Sequence, residues 1–133
     1  MLVQLSACDE DGPSDTEVKA DMLTAQTWAH ASVMHGTDGD LSDQYSDFAM
    51  TFSSNPADGF QGTYLVANGG HAFEDASGKW KFNDNLTMII LDSGREIEFQ
   101  LNETHLTLDF IVPESGGRSN GLSGHFTFEL QPL

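Results

Sequence analysis

Residues 80–110 read WKFNDNLTMIILDSGREIEFQLNETHLTLDF. Apolar and polar residues alternate through this stretch. Trp80 pairs with Phe82, then Ile97, Phe99 and Leu101 stand opposite Glu96, Glu98 and Gln100, and Leu106, Leu108 and Phe110 follow. A period of two puts one set of side chains on each face of a strand, so each run predicts a half-buried strand. The breaks between them are Asn83-Asp84-Asn85, Asp92-Ser93-Gly94 and Asn102-Glu103. They are short and made of residues that tolerate positive φ, which predicts successive antiparallel hairpins. In the run between the first two breaks, Leu86, Met88 and Ile90 are expected to face inward.

The same period extends in both directions. Upstream, a strand over about 26–35 is expected to turn Trp28, His30, Ser32 and Met34 to one face and Ala29, Ala31, Val33 and His35 to the other. A polar loop over 36–45 follows. Phe48, Met50 and Phe52 then share a face, as do Phe60, Gly62, Tyr64 and Val66. Downstream, Phe126, Phe128 and Leu130 alternate with Thr127 and Glu129. Before all of these, Ser14 and Glu17 have capping-box spacing and Val18 and Met22 are an i, i+4 apolar pair, which predicts a short helix over roughly 15–23. About eight amphipathic strands, short hairpins and no crossover helix predict an all-β fold. The expected form is an eight-stranded antiparallel up-and-down barrel with a short N-terminal helix, because closure removes exposed edges. A two-sheet sandwich is the alternative. An eight-stranded interior is filled by side chains or holds one small ligand, and both states are open at this point.

Composition sets the outer limits. The chain has 133 residues, 5 Lys plus Arg against 21 Asp plus Glu, and a formal net charge of −16, which excludes a basic nucleic-acid footprint. At 38% hydrophobic residues it can fill one core, and one domain over 16–133 is expected after a leader and acidic tether over 1–15. No run approaches the roughly 18 apolar residues of a membrane helix.

Leu5-Ser6-Ala7-Cys8 resembles a bacterial lipobox, and Asp9-Glu10-Asp11-Gly12-Pro13 follows it as a solvated tether. The segment before the box is shorter than the ~7–15 apolar residues of an export signal, so the resemblance rests on the box and the tether. It implies that Cys8 becomes the first mature residue and carries a lipid. The acidic run also resembles signals that send some lipoproteins to the outer face of the outer membrane. Residues 23–133 resemble the lipocalin-like domains of bacterial lipoproteins. The resemblance is carried by Leu23 with Trp28, Gln44-Tyr45-Ser46-Asp47-Phe48, Gly78-Lys79-Trp80-Lys81-Phe82, Leu91-Asp92-Ser93-Gly94-Arg95-Glu96, Gly117-Arg118-Ser119-Asn120-Gly121-Leu122 and Phe126-Thr127-Phe128. Where the family's opening strand has Gly-x-Trp, Gln26 replaces the Gly and Trp28 is kept. The resemblance implies a barrel that binds a small apolar molecule or a surface partner, and no reaction.

Several motifs lack the context that their chemistry requires. Gly117-Arg118-Ser119-Asn120-Gly121 fits the Gly-x-Ser-x-Gly nucleophile elbow, but that motif needs a strand before it and a helix after it, and this stretch joins two strands. His30, His35, His71, His105 and His125 show no zinc spacing. Asp38, Asp40 and Asp43 fail the EF-hand template, since Asp43 and Ala49 stand where Gly and Glu are required. A looser calcium site there is less expected than a solvated loop. Arg118 is either a stacking partner for Trp28 or a surface residue of its loop. The inward aromatics are expected to be Trp28, Phe48, Phe52, Tyr64, Trp80, Phe99, Phe110 and Phe126. The functional expectation is a non-enzymatic, monomeric cell-envelope lipoprotein, lipid-anchored at Cys8 to the outer membrane. It requires no cofactor or metal. Trp28, His30, Tyr64 and Trp80 are the candidate contacts to a small hydrophobic ligand, and a surface partner is an equal option. A hydrolase-inhibitor barrel and a purely structural envelope domain with a filled core are the alternatives.

Overall fold

The computed structural model describes residues 14–36, 39–69, 72–73, 76–112 and 124–133. Helix α1 spans Asp15–Thr24, and the Ser14 side chain caps it by accepting from the Glu17 N–H, as the capping-box spacing predicts. The strands are β1 (Trp28–His35), β2 (Gly39–Asp40), β3 (Ala49–Asn55), β4 (Gln61–Ala67), β5 (Ser77–Phe82), β6 (Met88–Leu91), β7 (Glu96–Leu101), β8 (Leu106–Val112) and β9 (Gly124–Pro132). β2 is a two-residue flap paired with β1. The other eight run antiparallel in the order β1-β3-β4-β5-β6-β7-β8-β9, and β1 pairs with β9 from Trp28↔Pro132 to His35↔Phe126. The sheet is therefore a closed eight-stranded up-and-down barrel with one short helix.

Closure is uneven. β1 meets β9 over its whole length, yet it meets β3 at a single pair, Trp28↔Met50. Residues 41–45 pack against β1 on that side. The Leu41 N–H donates to the Val33 carbonyl, the Val33 N–H donates to Ser42 Oγ, and a 3-10 turn over Ser42–Tyr45 buries Leu41 and Tyr45.

The inward faces of β3, β4, β7, β8 and β9 follow the alternation read from the sequence. Two strands do not. In β1 the pairing with β9 shifts between Ala29 and Ser32, and His30 sits at φ 53. This bulge inserts a residue and inverts the faces beyond it. Trp28 points inward as expected, but His30, Ser32 and Met34 are exposed, while Val33 and His35 are buried. In β6 the turn after Asn83 ends on Leu86 at φ 60, and the strand begins at Met88. Asn83 Oδ1 accepts from the Thr87 and Met88 N–H groups, which holds the turn. The buried residues are consequently Ile89 and Leu91, with Met88 and Ile90 half-buried. Phe60 belongs to the β3–β4 turn at φ 67, and packs on the core from there without being part of the strand.

Both ends of the barrel are plugged. α1 buries Ala20 and Leu23, the Gln26 side chain donates to the Glu103 carbonyl, and the Lys19 ammonium lies 5.7 Å from the Phe99 ring centre. At the opposite end Ala72 and Phe73 are buried. Arg95 donates to the Ala72 carbonyl, with its guanidinium 5.8 and 5.3 Å from the rings of Phe73 and Phe110.

Candidate functional site

The four candidate interior contacts separate into structural residues and one that faces outward. The Trp28 indole N–H donates to the Leu23 carbonyl at 2.9 Å, joining the first strand to the helix plug. The Trp80 indole N–H donates to the Ser53 carbonyl at 2.9 Å. Tyr64 is 2% exposed and packs against Gly78. His30 lies on the outer wall at the bulge, so it meets none of the other three across an interior pocket.

Around them the interior is occupied by rings. Phe73 lies 5.6, 5.0 and 5.5 Å from Phe48, Phe110 and Phe128, and Phe126 stacks on Phe110 at 5.9 Å. Towards the helix, Phe52, Trp80, Phe82 and Phe99 form a second chain at 5.8, 4.9 and 5.5 Å. Such spacings are those of aromatic pairs in direct contact. Tyr45 extends the first cluster to the loop seam. Burial pushes its phenol above the ordinary value, partly countered by a hydrogen bond with the Ala72 backbone.

Among the described residues, three clefts open on the outer wall. A cleft of about 450 Å³ is lined by Ser53, Ser54, Asn55, Asp58, Gln61 and Lys79, among others. A second, of about 350 Å³, shares Gln61, Lys79 and Trp80 with it and continues to Lys81, Ile90 and Asp92. Lys79 and Lys81 project from one face of β5, about 7 Å apart by strand geometry. Among the described residues neither ammonium makes an ion pair. Beyond β6 the wall changes sign. Lys81 pairs with Ile90 and Ile90 with Glu96, while Glu98 lies beside Asp109, and Glu129 lies on the next strand. A third cleft, of about 510 Å³, sits over that acidic region and includes Glu98, Asp109 and Glu129. His125 bonds Asp109 there, half-exposed.

This basic strand was not among the candidate contacts that alternation and motifs marked. Its signal was present, since Lys79 and Lys81 are two of only five Lys and Arg residues and stand two apart in an alternating strand. In the first loop, Asp40 Oδ1 accepts from the Ser42 N–H. The Ser42 side chain and then its backbone hold that exposed carboxyl below the usual range. Among the described residues no three His, Cys, Asp or Glu side chains converge on a metal-sized site. Also among them, no helix is long and apolar enough to cross a membrane. Cys8, Asp38, His71, Arg118 and the Gly117–Gly121 motif fall outside the described residues. A scan against protein-family models, a search of the curated proteins and a search of the solved structures each returned no match.

Proposed function

We propose that the chain is a non-enzymatic binding barrel of lipocalin-like kind, held at the cell envelope by a lipid on Cys8, that recognises its partner through its outer wall. The observation that carries this is the occupied interior. Trp28, Tyr64 and Trp80 are each no more than 2% exposed, and both indole N–H groups are satisfied by backbone carbonyls. A hydrophobic ligand of drug size needs roughly 300–1,000 Å³, and entering this core would displace several contacting rings. The outer clefts offer that volume without repacking.

Native mass spectrometry of the purified chain tests the reading. A clean mass, with no binding to a panel of apolar dyes, is expected. A retained lipid-sized adduct that is lost on denaturation would return the interior to the role of binding site. The anchor is tested separately by labelling cells with palmitate. Incorporation by the chain behind a complete export signal, and none by Cys8→Ala, is the expected result, and equal labelling of both would overturn it.

A further inference from the structure

We propose that the paired clefts along β5 bind a short acidic glycan segment, with Lys79 and Lys81 receiving its carboxylate and the surrounding side chains its hydroxyls. The inference rests on the outer-wall reading above and names its ligand class. Its first support is the chemistry of the lining. Ser53, Ser54 and Thr63 offer hydroxyls, Gln61 offers an amide, and Asp58 and Asp92 line the clefts as acceptors, Asp58 holding the Asn55 amide beside it. Hydroxyl and amide groups both donate and accept, as do the hydroxyls of a sugar. Phosphate or a purely acidic peptide lacks the array of hydroxyl donors that these two carboxylates can accept from, which a sugar supplies. β5 is also an interior strand, paired with β4 and β6, so an extended peptide finds no free ladder edge here.

The second support is charge. In a chain of net charge −16, β5 places two ammoniums together that make no ion pair among the described residues. Glu96 lies two strand spacings from Lys81, roughly 10 Å, and Debye screening at physiological salt reaches about 8 Å. The acidic wall therefore repels a long polyanion more than a short segment confined to β3–β6. Trp80 lies beneath both clefts with its N–H already bonded, so it fixes the floor and does not stack on a sugar.

Calorimetric titration of the full chain with tetragalacturonate tests this, alongside its carboxyl-reduced neutral counterpart and a tetraglutamate peptide. Tetragalacturonate is expected to bind, and the Lys79→Gln/Lys81→Gln double variant to lose about tenfold or more in affinity. The neutral oligosaccharide should bind more weakly, by about fivefold or more, and the peptide not measurably. Lys19→Gln, on the helix, should bind like the parent, and thermal melts establish that each variant is folded. Amide NMR shifts should concentrate on Gln61, Lys79 and Lys81. Absence of binding by both oligosaccharides at millimolar concentration would overturn the proposal, as would equal binding of the peptide or an unaffected double variant. A clean native mass with a silent titration removes the glycan alone. A retained lipid adduct removes the outer-wall reading with it.

Discussion

Gly62 shows how closely two backbones approach in this barrel. A Cβ built there would lie 1.9 Å from the Ser53 carbonyl oxygen and 2.7 Å from its carbon. Both are backbone atoms that cannot rotate away, and the same carbonyl accepts from Trp80. Gly62→Ala is therefore expected to cost about 3 kcal/mol or more. Gly59 is a built-in comparison: it sits at φ 73 with nothing within 4 Å of its Cβ position, so Gly59→Ala should cost only about 1 kcal/mol. Urea denaturation of the two variants checks the ranking, and equal costs would mean that β3 yields at Ser53. Tyr45 gives a second expectation. Burial raises its pKa above the ordinary tyrosine value of 10.0, so the folded state holds the proton more tightly than the unfolded chain. The stability tied to that proton is whole below about pH 10 and is lost as pH rises through the raised value. Tyr45→Phe should give up about 0.5–1.5 kcal/mol at pH 7 with the Ala72 hydrogen bond, and lose less than the parent above pH 10. Parallel alkaline slopes in the two proteins would contradict this.

The bulge in β1 decides which residues the barrel can use. His30 at φ 53 occupies the left-handed region, which costs a non-glycine residue about 1–2 kcal/mol. His30→Gly should accordingly raise stability by up to about 1 kcal/mol, and His30→Val, branched at Cβ, should lower it by about 1–2 kcal/mol. Denaturation midpoints measure both, and a destabilising glycine would show that the imidazole has a structural role on the outer wall. The strand pattern could not reveal this, because alternation gives faces only while the register runs unbroken. β8 and β9 keep register from Leu106↔Leu130 to Val112↔Gly124, and every inward residue read there is buried. β1 contains the left-handed His30 and β6 follows the left-handed Leu86, and in each strand the reading inverts after that residue. Trp28 was legible because it precedes the bulge. His30 was misplaced because it is the bulge. The cleft along β5 was harder still, since it needs β3, β4 and β6 beside Lys79, and sequence order does not bring Ser53 near Lys79.

At the scale of the molecule the acid excess and the barrel act against each other. The formal charge of −16 comes from 21 acids against 5 bases, and a closed barrel spreads the acids over a small surface. Self-repulsion of this kind destabilises the compact state and weakens as salt shortens the Debye length, from about 30 Å at 0.01 M to about 8 Å at 0.15 M. The melting temperature should rise across that interval by about 3–5 °C, equivalent to about 1 kcal/mol for a chain of this size. The Lys79→Gln/Lys81→Gln variant moves the charge from −16 to −18 by removing two cations that make no ion pair among the described residues. Its melting temperature should lie below the parent's at low salt and converge on it as salt is added. Tetragalacturonate binding should respond in the opposite sense, weakening with salt because it depends on the two ammoniums directly. Scanning calorimetry and titration over one salt series therefore separate the two effects. If the fold and the affinity weakened together with salt, surface pairing such as His125 with Asp109 would outweigh the repulsion, and the acidic wall would have to be regarded as a stabilising network.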